Sequence, residues 1–170
     1  MLSGLLPGLF ALLGAAIGGA VKWGAVRNRR SMAAVTRAQA VLDRRYAAHT
    51  DFVVAVDRFR KRAREYRSLL YDGAPAEQAD AAGLSYIEAC DVLSDKVGVA
   101  GMSGPPELAD SAASVHRAAE AYAETIDQWR RSGSPAEGRG ARERKCLAGL
   151  AELDDARGRY IVLASLLFSE

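Results

Sequence analysis

The sequence predicts an all-α protein: an N-terminal transmembrane helix, then an up-down antiparallel bundle of about four helices, the first long and stalk-like. Three observations predict it. Residues 2–21 contain no charged side chain. Four later segments repeat apolar residues in alternating three- and four-residue steps, the spacing of packed helices. Turn residues separate those segments, and none alternates in the two-residue period of a half-buried strand.

The first element is the apolar run. Twenty residues at about 1.5 Å each give about 30 Å, the hydrocarbon thickness of a bilayer. Lys22 and Trp23 follow at once, then Arg27, Arg29 and Arg30. Tryptophan suits the headgroup level and a basic cluster suits the cytoplasmic face, so these five residues form the expected membrane interface. Residues 1–26 are therefore expected to be a single-pass anchor in the cell membrane. Its N-terminus would lie outside and residues 27–170 would form a cytoplasmic helical domain. A cleaved signal peptide would need a basic segment before the apolar run, and that charge is missing here. A buried helix would normally carry a polar face, which this run lacks. Gly14 and Gly18 form a small-xxx-small pair through which two such helices could approach closely, so a homodimer is one expected partner.

The second element is a helix over about residues 31–71, with a stripe of Val35, Ala38, Leu42, Arg45, His49, Phe52, Val56, Phe59, Ala63, Tyr66 and Leu70. At this length it should overhang its neighbours as a stalk. Asp72, Gly73, Ala74 and Pro75 end it, glycine supplying unusual backbone angles and proline opening the next helix. That helix is expected over about residues 76–97, with a stripe of Ala76, Ala79, Gly83, Tyr86, Cys90, Leu93 and Val97. Three glycines and two prolines between residues 98 and 106 argue for a break.

The third bundle helix, over about residues 106–131, has the cleanest stripe: Leu108, Ala112, Val115, Ala119, Tyr122, Ile126 and Trp129. The fourth, over about residues 141–168, places Cys146, Leu150, Leu153, Arg157, Tyr160, Ala164 and Leu167 inward. The apolar run of residues 160–168 is too short to span a bilayer and reads as a buried end, with a membrane-touching or partner-binding tail as the alternative. Arg45 and Arg157 interrupt two stripes, and each is expected to be paired or to reach solvent, because an unpartnered buried arginine is too costly.

The net charge of +2 conceals a division along the chain. Residues 22–72 carry 13 basic and 5 acidic side chains, residues 73–129 carry 2 and 10, and the remainder 8 and 6. The simplest account sets a basic first helix against acidic second and third helices, fixing which neighbours meet. The basic residues beside the apolar run also suit anionic lipid. Nucleic acid is disfavoured: no recognised binding motif accompanies the basic stretch, and Phe52, Phe59 and Tyr66 belong to the apolar stripe.

Chemistry leaves little trace. Neither His49 nor His116 follows a glutamate by three residues, as a di-metal carboxylate bundle requires. No Gly-x-Ser-x-Gly elbow or phosphate-cradling Gly-x-x-x-x-Gly-Lys occurs. Cys90 and Cys146 lie at apolar helical positions and read as packing residues. No cofactor, metal site or catalytic residue is expected. The resulting function class is a membrane-anchored interaction or scaffold module. The alternatives are an extracytoplasmic envelope or sensor domain, and a bundle that binds a ligand near His49, Arg45 or Arg157.

Overall fold

A computed structural model describes the backbone of residues 5–132 and 138–168, and side-chain surroundings at residue 32, at residues 35–132 and at residues 138–167. The described residues form four α-helices and no strand: α1 (Leu5–Asp72), α2 (Ala76–Ser103), α3 (Pro106–Arg131) and α4 (Arg139–Phe168). The chain divides after Asp43 into two units, Met1–Asp43 and Arg44–Glu170, and the helical bundle belongs to the second.

Local chemistry explains the boundaries. Gly73 adopts φ +67°, the left-handed conformation that lets the chain leave a helix without a side-chain penalty, and the Ala74 N–H returns to the Leu69 carbonyl at 3.0 Å. Pro106 occupies the first turn of α3, where its missing N–H has no intrahelical partner to lose. Glu107 at that end and Arg130 and Arg131 at the other complement the helix dipole.

Cross-helix pairs establish the topology. Along α1 and α4, His49 meets Tyr160, Asp57 meets Arg157 and Arg60 meets Asp154, so the two run in opposite directions. Asp51 with Lys96 and Arg58 with Glu88 show the same for α1 and α2. Ser94 with His116 joins α2 to α3, and Lys145 with Gln128 joins α3 to α4. Each helix thus lies beside its chain neighbour, as short connections require, and α4 closes the ring against α1.

The core follows the expected stripes most faithfully in α3, where all seven positions are buried. Phe59 of α1 meets Tyr122 of α3 edge-on across the bundle at 6.2 Å, Phe52 packs on Tyr160 at 4.9 Å, and Tyr66 stacks on Tyr86 at 5.5 Å. Such aromatic pairs add to the burial of large apolar area.

Three expectations need correction. The α1 stripe enters the core only from His49 and Phe52 onward, and all of residues 35–47 are exposed. Periodicity marks a face able to pack but does not supply a neighbour. The second bundle helix continues to Ser103 rather than stopping near Val97, through Gly98 and Gly101. The added residues bury Ala100 completely, a gain set against the roughly 1 kcal/mol that each glycine costs inside a helix. The run of residues 160–168 is not a buried end. Tyr160 is buried, but Val162, Leu166 and Leu167 are exposed because α4 outlasts the buried face of α1.

Candidate functional site

The residues predicted to meet the membrane, Lys22, Trp23, Arg27, Arg29 and Arg30, and the candidate association pair Gly14 and Gly18 have side chains outside the described set. The α1 backbone is helical through all of them. Among the described residues no helix is long and apolar enough to cross a membrane.

Within the bundle, polar chemistry concentrates on the seam between α1 and α4. Arg157 reaches Asp57 at 2.7 Å, Asp57 holds Arg60 at 2.9 Å, Arg60 reaches Asp154 at 2.5 Å, and Asp154 also faces Arg64 at 3.5 Å. This is a chain of alternating charge in which each inner member has two opposite neighbours. Its hydrogen bond to Asp154 is the main cause holding the Arg60 guanidinium above its ordinary pKa, against the cost of partial burial. Arg157 is paired, as expected of an arginine on an apolar stripe. Arg45 lies on the exposed part of α1.

The seam revises the charge account. Of the described basic residues of α1, Arg60 and Arg64 face Asp154 of α4, Arg67 faces Glu143, and Arg62 pairs with Glu65 of its own helix. α2 offers α1 only the Arg58–Glu88 pair and the reversed Lys96–Asp51 pair among the described contacts. Totals of charge per segment do not say which side of a helix each charge occupies. Asp57 and Asp154, the centre of the seam, carried no signal in the sequence because neither has a motif and their partners on the facing helix lie about a hundred residues away.

At one end of the bundle sits His49, buried to 4% exposure. Its Nδ1 lies 2.5 Å from the Tyr160 hydroxyl, and the ring also hydrogen-bonds the backbone of Ser103. It therefore ties α1 to α4 and to the end of α2. Burial lowers its pKa below the ordinary value, with Arg45 acting in the same direction and the Ser103 bond opposing both. A neutral imidazole accepts from Tyr160 through Nδ1 while its other nitrogen donates. Burial also raises the Tyr160 phenol, which keeps its proton for that bond. Beside this ring, an open groove of about 270 Å³ runs between α1 and α4, lined by Tyr46, Val53, Val54, Ile161 and Ala164 among others. Its lining is mostly apolar.

The remaining candidates are structural in their surroundings. Burial raises the thiol pKa of both Cys90 and Cys146, a setting that suits packing more than nucleophilic chemistry. His116 approaches Ser94 at 3.3 Å and Glu120 at 3.7 Å, while Glu124 binds Arg131 at 2.8 Å. No group of three or more metal-ligating side chains occurs among the described residues. No family model, no curated protein and no solved structure matches this chain.

Proposed function

We propose that this chain is a membrane-tethered helical module that acts by holding an interaction surface at the bilayer. The observation that carries this reading is the uncharged run of residues 2–21, followed at once by Lys22, Trp23, Arg27, Arg29 and Arg30. A segment of that length and polarity is most stable in lipid, and the basic residues after it favour the cytoplasmic side for the rest. One feature of the described residues supports the reading: polar side chains such as Asp57 with Arg157, Arg60 with Asp154 and Arg58 with Glu88 pair from helix to helix, which suits a scaffold.

Membrane fractionation of the full-length chain tests it. The protein should pellet with membranes, resist extraction at high pH and require detergent for release. Deleting residues 1–26 should free a folded helical protein. Full-length protein that stays soluble without detergent overturns the proposal. A reporter fused after residue 170 should lie in the cytoplasm. A reporter found outside would favour the envelope alternative.

A further inference from the structure

We infer that the exposed part of α1 is one strand of a parallel two-stranded coiled coil whose other strand is a second copy of this chain. The inference rests on the membrane-tethered reading for its parallel sense. Its seam is Met32, Val35, Gln39 and Leu42.

The exposures come first. Met32 is 65% exposed, Val35 66% and Leu42 49%, in a stretch where no residue from 35 to 47 is buried. A lone solvated helix of this length is marginal in water, because most helical stability in proteins comes from packing an apolar face. These three residues and Gln39 follow in steps of three, four and three, the a and d positions of a heptad.

Charge selects the partner. In this register Arg30, Arg37 and Arg44 recur every seven residues at the f position, directly opposite the seam. The seam itself holds no charge, so a second copy can approach without like charges meeting. The alternative stripe through Ala38 and Arg45 would instead bring two arginines together. Gln39, which bonds Asp43 of its own helix at 3.1 Å, supplies one polar seam position, the kind of residue that sets register at some cost in stability. An anionic lipid surface fits poorly, because it would draw the arginine face inward and leave Met32, Val35 and Leu42 in water.

Continuity favours the same occupant. Counted backward in the same steps, the seam passes through Asn28, Ala25, Val21, Gly18, Gly14 and Ala11. The small-xxx-small pair therefore falls on the same stripe as the exposed apolar residues. Two chains entering a bilayer by the same end are parallel and aligned before the stalks meet. That shared tether raises their effective concentration, so a short seam suffices where it would not in dilute solution.

Cysteine scanning on the full-length chain in isolated membranes tests this, in a Cys90→Ala, Cys146→Ala background. Oxidative crosslinking should be strongest at Met32→Cys, Val35→Cys and Leu42→Cys. It should be weaker by about fivefold or more at Arg37→Cys and at Val41→Cys, which is apolar and exposed but lies off the seam. In Val35→Cys, adding Leu42→Glu should reduce the crosslink by a similar factor. Membrane-bound protein with a flat profile, or with maxima off the seam, overturns the coiled coil and leaves the anchor standing. The periodic profile in protein that proves soluble upholds the seam and overturns the anchor. Soluble protein with a flat profile overturns both.

Discussion

Acidification should loosen the bundle at its His49 end. The ring is buried, hydrogen-bonded to Tyr160 and Ser103, and has its pKa lowered below 6.5, chiefly by burial. The direction of the effect follows from proton linkage. Between the lowered folded pKa and the unfolded value near 6.5, the unfolded chain binds more protons at this site. Its contribution is therefore complete above about pH 6.5 and is lost as pH falls toward the folded pKa, by at most about 1.4 kcal/mol per pH unit. Protonation also turns Nδ1 from an acceptor into a donor facing the Tyr160 hydroxyl, which must then reorient. The assay is thermal unfolding of the full-length chain in detergent, followed by helical circular dichroism at pH 7.5, 6.5 and 5.5, for wild type and His49→Gln. At pH 7.5 the variant should be less stable by about 1–3 kcal/mol, the cost of losing hydrogen bonds in a buried site. That gap should narrow on reaching pH 5.5, by at most about 1.4 kcal/mol, because the variant has no imidazole to charge there. A gap constant across the three pH values would refute the buried neutral imidazole.

Two glycines should respond oppositely to alanine. At Gly104 an added methyl would meet the His49 ring and Leu108 Cδ2, all at 3.1 Å, so Gly104→Ala should destabilise by about 1–2 kcal/mol in denaturant unfolding. At Gly98 it would meet nothing within 4 Å on a helical backbone, so Gly98→Ala should stabilise by about 0.5–1 kcal/mol. A double-mutant cycle on Asp57→Asn and Arg157→Met should give a coupling of about 0.5–1 kcal/mol that falls as salt rises; a coupling of zero at low salt would mean the seam orients nothing. The Tyr122 hydroxyl is buried without a hydrogen-bond partner, and burial pushes its pKa up to about 12. Tyr122→Phe should therefore be neutral or stabilising by about 1 kcal/mol, and a clear loss of stability would point to a partner for that oxygen.

The sequence by itself determined the helical class, the number of bundle helices and nearly all of the core, because those depend on local periodicity and turn chemistry. The stripe from Leu108 to Trp129 is the clearest case: a regular helix places its apolar residues on one side whatever lies beyond it, and the bundle then buries that side. Proline and glycine likewise marked the turn after Asp72 and the start of α3. The tertiary structure decided where a competent stripe finds a neighbour. Val35 and Leu42 continue the same pattern as Phe52 and Phe59, yet remain exposed. It also decided which charges meet. Asp57 with Arg157 and His49 with Tyr160 each join residues about a hundred positions apart, and such pairings come from the rotation and register of whole helices, which no local spacing encodes.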